Sequence, residues 1–323
     1  MAYTSIDDPA QYFNTVLYTG NGSTQSITGV GFQPDWVWNK NRSSARNHYA
    51  TDSVRGAQET LRQNLHDIES TQSGGVTAFN SDGFSVGSDN VVNESGDSLV
   101  AWCWKENATA GFDIVSYSGT GSQPATVSHS LGAIPDVVLV KPRNDAQSWA
   151  MFHQGIGAAN IIYLDVTSAA GGTPAWNSTS PTSSVFTVND NQVNKSSTNY
   201  IAYCFKGIKG YSKFGSYTGN GSTDGTFVYT GFRPAWLLVK DTGANGENWE
   251  LLDATRSPFN VADERLKAND TDAESTGSNY FIDFLSNGFK QRNSQTSSNG
   301  SGETYIYMAF AESPFVNSNG VPT

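Results

Sequence analysis

The segment Tyr18-Thr19-Gly20-Asn21-Gly22-Ser23 decides the fold, because it recurs twice further along the chain. The two glycines of each copy can take a positive φ, which is typical of a tight turn or bulge that links two antiparallel strands. The copies are spaced by 99 and 100 residues, and about 100 residues is the length of one domain. The chain is therefore predicted to contain three tandem copies of one module. The second and third copies are Tyr117-Ser118-Gly119-Thr120-Gly121-Ser122 and Tyr217-Thr218-Gly219-Asn220-Gly221-Ser222.

Each copy is followed by a proline-led apolar run that ends in a lysine. Proline is tolerated at the first residue of a strand but not inside a central ladder, so a strand is predicted to start just after it. Each unit then closes with a run of β-branched and aromatic residues, which is also typical of a strand. The proline-led runs span 31–40, 131–141 and 231–240, and the closing runs span 99–105, 200–206 and 305–310.

These runs predict an all-β fold of three tandem β-sandwich-like modules of about 100 residues each. Short joints predict that the modules pack on one another, and the repeat number leads to the hypothesis of packing about a pseudo-threefold axis. A short helix is predicted at 54–69, with a counterpart at 261–268. The predicted units are an N-terminal segment 1–11, modules 12–106, 107–209 and 210–316, and a C-terminal tail 317–323. Further strands are predicted at 14–18, 25–28, 84–86, 161–164, 186–188 and 280–285.

Composition and charge exclude several classes of protein. The 8 Trp, 14 Tyr and 17 Phe residues can fill hydrophobic cores, which excludes disorder for most of the chain. The net charge of −11 and the lack of a basic cluster argue against a nucleic-acid partner. No stretch approaches the roughly 18 to 20 apolar residues of a membrane span, and the first residues lack the pattern of a signal peptide. We expect a chain that is made in a cytoplasm without membrane insertion or classical export.

Two residue types that can carry chemistry are expected to be structural. Cys103 and Cys204 occupy the position that Ala309 holds in the third unit. This position therefore favours a small buried side chain rather than a disulfide or a nucleophile. The lysines that end the proline-led strands are expected to be solvated, with a ligand-binding ring as the alternative. These lysines are Lys40, Lys141 and Lys240.

No motif predicts an enzyme, a cofactor or a metal. The four histidines are dispersed and form no metal-hydrolase pattern. The acidic segments 189–191 and 269–274 have the composition of a calcium loop but not its spacing. Glycine-rich runs precede strands rather than helices, which argues against phosphate loops. We therefore assign no catalytic, cofactor-binding or metal-binding residue.

One aligned set of residues is a candidate ligand site. An aromatic or histidine position is followed four residues later by an acid or histidine, and in the outer units an arginine comes three residues after that. Such a set can bind a sugar, because the ring stacks on the sugar's C–H face while the polar groups bind hydroxyls. The favoured alternative is a strand-end aromatic beside an internal Asp–Arg pair. The candidate residues are Trp149, Trp249, Asp253, Arg256, His48, Asp52 and Arg55.

Taken together, the motifs resemble a three-fold tandem repeat module of tailed-bacteriophage virion and tail-fibre-associated proteins. The resemblance covers nearly the whole chain and is best in the first unit. The other two units keep the turn and the proline-led strand but lose parts of the remaining motifs. The motifs are Tyr-Thr-Gly-Asn-Gly-Ser, Gly-Phe-x-Pro-Asp-Trp-Val-Trp-x-Lys, Asp52-Ser53-Val54-Arg55-Gly56, Phe79-Asn80-Ser81-Asp82-Gly83-Phe84 and Val100-Ala101-Trp102-Cys103-Trp104-Lys105.

The resemblance implies a non-enzymatic structural protein on the virion surface, as a tail component for host receptor binding. A capsid decoration protein is the first alternative, and a free carbohydrate-binding lectin or polysaccharide depolymerase is the second. The expected partners are other virion proteins, a host-surface glycan and further copies of the chain. No heptads occur, which favours a compact knob, tip or capsid ornament over a fibre shaft.

Overall fold

The structure is a computed structural model that describes residues 3–277 and 279–323. It confirms the all-β prediction, because the modules consist of antiparallel strands and three single-turn helices within this described part. A 3₁₀ turn at Pro9–Gln11 precedes the first module, and the side chain of Asp8 caps it by accepting a hydrogen bond from the Ala10 backbone.

The strands and helices follow one another in matching order in the three modules. The first contains β1 (Phe13–Thr19), β2 (Gln25–Thr28), β3 (Trp36–Asn41), β4 (Tyr49–Asp52), β5 (Glu59–Arg62), β6 (Ser70–Thr71), β7 (Val76–Asn80), β8 (Gly83–Val86), α1 (Asn90–Asn93) and β9 (Ser98–Trp104). The second contains β10 (Phe112–Ser118), β11 (Ala125–Ser128), β12 (Val137–Pro142), β13 (Ala150–His153), β14 (Asn160–Tyr163), β15 (Gly171–Gly172), β16 (Val185–Val188), α2 (Asn191–Asn194) and β17 (Asn199–Phe205). The third contains β18 (Ser212–Thr218), β19 (Phe227–Tyr229), β20 (Phe232–Asp241), β21 (Glu250–Asp253), β22 (Leu266–Lys267), β23 (Ile282–Leu285), β24 (Gly288–Gln291), α3 (Thr296–Asn299) and β25 (Thr304–Pro314).

Each module is built on one large antiparallel sheet with a smaller sheet packed against it. The large sheets have the orders β1-β9-β3-β4-β5-β6, β10-β17-β12-β13-β14-β15 and β18-β25-β20-β21-β22. The small sheets have the orders β2-β8-β7, β11-β16 and β19-β24-β23. The strand that follows the proline therefore lies inside the large sheet in every module, between the closing strand and the next hairpin strand.

The large sheets are buried on both faces. Side chains alternate between the faces of a strand, so Ala101 and Cys103 of β9 face the core of their own module. Trp102 and Trp104 of the same strand face a core to which all three modules contribute. Cys103, like Cys204, is fully buried, which confirms the prediction of a small buried side chain at this position.

Aromatic rings from the three modules meet in this shared core. The ring centroids of Trp36 and Phe205 lie 6.1 Å apart, which joins the first and second modules. Phe205 lies 6.0 Å from Phe310, which joins the second and third modules. Phe310 lies 5.7 Å from Trp104, which returns to the first module. Each module thus contacts both others in the shared core.

The recurring glycine segment differs from the predicted hairpin link. β1 pairs with β9 in the large sheet, whereas β2 pairs with β8 in the small sheet, so the segment carries the chain between sheets. Gly22 takes a φ of 70° there. The Oδ1 atom of Asn93, the last residue of α1, accepts a hydrogen bond from the Asn21 backbone over 2.9 Å. Asn194 and Asn299 make the same contact in the other modules.

The helix predicted at 54–69, and its counterpart at 261–268, are wrong. The first range contains β5, in which Leu61 pairs with Ala50 of β4 and is fully buried. The second range contains β22. Strand pairing overrides the weak helical pattern of these segments, because only an extended backbone buries Leu61 between neighbouring strands.

The other strand predictions agree with the structure, with one difference at a proline. The predicted ranges coincide with β1, β2, β8, β14, β16 and β23 to within two residues. β3 and β12 begin just after their prolines, as predicted. β20 instead begins at Phe232 and includes Pro234, at a register shift in its pairing with β25. A proline fits there because a bulge does not need its missing N–H group.

Candidate functional site

The two aligned tryptophans join each module to the module before it. Trp149 donates its Nε1 hydrogen to the backbone carbonyl of Arg62 in the first module, over 2.8 Å. Trp249 donates in the same way to the carbonyl of Tyr163 in the second module, over 2.9 Å. Both tryptophan side chains are fully buried. These rings are therefore parts of the interfaces between modules.

His48 holds the same position where the first module meets the third. Its Nδ1 accepts a hydrogen bond from Trp38 Nε1 over 2.9 Å. Its ring faces the backbone of Lys267 and Asp270 in the third module. Burial, together with the charge of Lys40, lowers the pKa of His48 well below its usual value. His48 is therefore a neutral, buried ring that completes the cycle of contacts.

At the first–second interface, a buried ion pair is extended into a network. Arg55 pairs with Asp52, and both side chains are fully buried. Tyr203 of the second module donates its hydroxyl hydrogen to Asp52 Oδ2 over 2.7 Å. Arg55 Nη1 also lies 2.9 Å from Glu69, whose other oxygen lies 2.7 Å from Nη2 of Arg143 in the second module. The favoured interpretation of an internal Asp–Arg pair is confirmed here.

The third–first interface repeats this network with equivalent residues. Arg256 Nε lies 2.6 Å from Asp253, which accepts a 2.9 Å hydrogen bond from Nε1 of Trp102 in the first module. Glu274 lies between Arg256 at 2.8 Å and Arg42 of the first module at 2.6 Å. Burial by itself raises the pKa of Glu274, but the hydrogen bonds and charges of the two arginines outweigh burial and lower it. The carboxylate is therefore ionised and bridges two modules.

The second–third interface carries none of the corresponding charges at the aligned positions. The sequence places Ile156 where the other modules have Arg55 and Arg256, and Ala170 where they have Glu69 and Glu274. Both are partly buried against the shared core. The remaining aligned positions are also neutral at this interface. They are His153 for the aspartates, Thr242 for Arg42 and Arg143, and Met308 for Trp102 and Tyr203.

His153 is held in one neutral tautomer. Its Nδ1 accepts a hydrogen bond from the Gly155 backbone over 3.0 Å. Its Nε2 lies 3.2 Å from the backbone carbonyl of Tyr307 in the third module and must donate to it. Burial lowers the pKa of His153 to about 4, although the bond to Tyr307 opposes this change. A neutral histidine thus replaces the ion pair of the other two interfaces.

The strand-end lysines are buried between modules, so the prediction that they are solvated is wrong. Each side chain is fully buried and donates to backbone carbonyls of its own module and of the preceding one. Burial lowers the pKa of each of the three to about 8. A lysine is preferred here because one ammonium group can satisfy several carbonyls at once. The contacts are Lys40 to Arg46 and Thr271, Lys141 to Gln147 and His66, and Lys240 to Glu247 and Thr167.

The structure assigns the predicted ligand-binding residues to module packing. Their side chains contact neighbouring modules or one another, and no glycan can stack on them while the modules are joined. The set does not form one site either, since its members lie at different interfaces. Its members are Trp149, Trp249, Asp253, Arg256, His48, Asp52 and Arg55, whose exposed fractions run from 0% to 8%.

An open cleft lies at the outer edge of the second–third interface. Its volume is about 600 Å³, and we call it the lysine cleft, after Lys206, Lys209 and Lys213 in its lining. Asp136 is the carboxylate of the lining, and it accepts hydrogen bonds from Lys206 Nζ over 3.0 and 3.1 Å. Tyr229 borders the cleft and is 54% exposed. The lysine cleft combines solvent access with unneutralised positive charge.

Sequence reasoning missed the residues of the lysine cleft, although a signal was available. Lys213 aligns with Asn14 and Asp113, and Lys209 aligns with Thr109. In one copy, two lysines stand where the other copies have different residues, and this departure from the repeat could have been detected in the sequence. Their convergence depends on the folding of the joint between modules, which no spacing rule describes.

In the described part of the chain, no three His, Cys, Asp or Glu side chains are placed to hold a metal ion. Within residues 3–277 and 279–323, no helix is long and apolar enough to cross a membrane.

Comparison with known proteins gives a family for the chain. The profile of a family described as a domain of unknown function, DUF7483, matches residues 8–314. The chain belongs to this family. The DUF7483 match runs through all three modules and ends at the last residue of β25. No curated protein and no solved structure matches the chain.

Proposed function

We propose that this DUF7483 protein is a non-enzymatic structural protein on the surface of a tailed-bacteriophage particle, where it serves the tail in host attachment. The observation that carries the proposal is that the residues shared by the repeats lie at the contacts between modules. Trp149 and Trp249, the buried lysines and the Asp–Arg networks all join modules to one another. The repeated residues therefore hold the three modules together as one body, which is appropriate for a structural component.

The shared core supports the same conclusion. Among the described residues, 31 buried residues of the three modules and Ile6 of the N-terminal segment form one hydrophobic cluster, which is larger than the cores of the individual modules. Such a core resists relative movement of the modules, because close-packed interiors have few alternative arrangements. A body of this kind can present surface loops in fixed relative positions. The assignment to a phage particle rests on the resemblance of the sequence motifs.

Immunogold electron microscopy of intact particles tests the proposal. An antibody against the purified chain is expected to label the tail of particles of the phage that encodes it, while pre-immune serum gives no label. Label over the head would favour the alternative of a capsid decoration protein. No label on intact particles, or label that requires their disruption, would contradict a place on the surface.

A further inference from the structure

The lysine cleft occurs at the interface that lacks the charged network. Gln154 of the second module spans the cleft and donates to the backbone carbonyl of Phe214 in the third over 2.6 Å. The corresponding hollow at the third–first interface, lined by Asn14 and Ala254, has a volume of about 160 Å³. Of these two corresponding clefts, the larger one therefore lies at the neutral interface.

The lining of the cleft is positive on a protein that is negative overall. Three lysines face one carboxylate, Asp136, so two positive charges remain, although the whole chain carries −11. Lys206 is the lysine paired with Asp136. Lys209 and Lys213 form no salt bridge with any carboxylate among the described residues. Charge complementarity therefore favours an anionic ligand.

Each of these two lysines lies beside an exposed aromatic ring. Lys213 Nζ lies 5.4 Å from the centroid of the Tyr229 ring and donates to the Tyr229 carbonyl over 2.7 Å. Lys209 Nζ lies 4.9 Å from the ring centroid of Tyr3, which is 51% exposed. An exposed ring can stack on the C–H face of a sugar while a nearby ammonium group binds a carboxylate.

We infer that the lysine cleft binds an acidic sugar residue, with its carboxylate on Lys209 and Lys213 and its ring against Tyr229. The volume of about 600 Å³ lies in the range of small-molecule sites and accommodates one or two sugar rings. This inference names the ligand class for the proposed role in attachment, on which its biological setting rests. The binding itself is a property of the isolated chain.

The test is a saturation-transfer NMR titration of the full chain with sodium D-glucuronate, D-glucose and inorganic phosphate. Glucuronate and glucose differ at C6, where a carboxylate replaces a hydroxymethyl group. We expect saturable glucuronate binding, at least about tenfold weaker binding of glucose, and loss of the glucuronate affinity by about tenfold in Lys209→Ala. Tyr229→Ala is expected to reduce saturation transfer to the ring protons of the sugar.

Matched variants separate loss of the site from loss of the fold. Lys195→Ala removes an exposed lysine from another part of the surface and should leave binding unchanged. Lys213→Met removes the second cation but also the bond to the Tyr229 carbonyl, so its melting temperature is measured beside that of Lys209→Ala. Raising the ionic strength should weaken glucuronate binding in the wild-type chain.

Several results would overturn the inference. Equal binding of glucose would remove the role of the carboxylate. Phosphate binding as tight as that of glucuronate, unaffected by Tyr229→Ala, would indicate a general anion site. The absence of saturable binding in a folded chain that immunogold places on the tail would refute the ligand class and leave the proposed function intact.

Discussion

The hydroxyl group of Tyr203 in the second module donates a hydrogen bond to the carboxylate of Asp52 in the first over 2.7 Å, with both side chains fully buried. This bond connects residues 151 positions apart. Removing it leaves a buried carboxylate with one donor fewer, which costs about 1–3 kcal/mol. We expect Tyr203→Phe to lower the free energy of unfolding in urea by this amount. Tyr229→Phe, on the exposed surface, is the control, and equal effects of the two would contradict a role for the bond.

The charged residues of the first–second network can be replaced by their neutral counterparts from the second–third interface. Arg55→Ile alone should destabilise the chain by about 3–5 kcal/mol, because it leaves Asp52 buried without its cation and leaves Glu69 with Arg143 alone. Replacing the whole network with the residues of the neutral interface should recover most of this loss. The recovering variant combines Asp52→His, Arg55→Ile, Glu69→Ala, Arg143→Thr and Tyr203→Met. Chemical denaturation measures both effects, and additive losses would show that the neutral set does not act as a unit.

His153 should make stability depend on pH in weak acid. Its pKa is lowered from 6.5 to about 4 in the folded chain. The unfolded chain therefore binds the proton more tightly as the pH falls from about 6.5 to 4, and stability is lost over that window by at most about 3 kcal/mol. We expect His153→Gln to lose less stability than the wild type between pH 7 and 4.5 in urea titrations. His66→Gln, on an exposed side chain, should retain the full pH dependence of the wild type.

Lys141 should make stability depend on pH in the alkaline range, and stability should again rise with pH. It donates to the carbonyls of Gln147 and His66, and its pKa is lowered from 10.5 to about 8. Lys141→Met is expected to cost about 1–3 kcal/mol near pH 7.5, because these buried acceptors lose their donor. Between pH 8 and 10.5 the unfolded chain binds the proton more tightly, so the wild type gains stability as pH rises. The deficit of the variant should therefore grow by about 2 kcal/mol at pH 9.5, and Lys195→Met should show no such growth.

Gly119 should not tolerate a side chain, since a Cβ atom there would lie 2.2 Å from the Lys195 carbonyl oxygen. We expect Gly119→Ala to destabilise the chain by about 3 kcal/mol or more, because the contact is with backbone that cannot move freely. Gly171→Ala is the matched control, since a Cβ atom there meets nothing within 4 Å. Thermal unfolding distinguishes the two, and similar melting temperatures would contradict a close approach at Gly119.

The sequence predicts the strands better than it predicts how the modules join. The run from Trp36 to Lys40 is continuously buried, so its apolar character identifies a strand whatever covers it. The burial of Lys40 could not be inferred from that run, since its acceptor, the Thr271 carbonyl, lies 231 residues away. Trp249 beside Asp253 and Arg256 matches a sugar site and a buried interface equally well in sequence. Burial alone separates the two, and burial depends on contacts between distant modules.

The cyclic contacts also constrain the order in which the chain can become native during synthesis. Trp102 donates a hydrogen bond to Asp253, which lies 151 residues further along the chain. Arg42 donates to Glu274, which lies 232 residues further along. The first module therefore leaves the ribosome with one apolar sheet face uncovered, and part of that face remains so until most of the third module has emerged. Surfaces exposed in this way favour aggregation of nascent chains. Completion of the shared core is consequently a late event, and the exposure of apolar surface should end only when the third module has been synthesised.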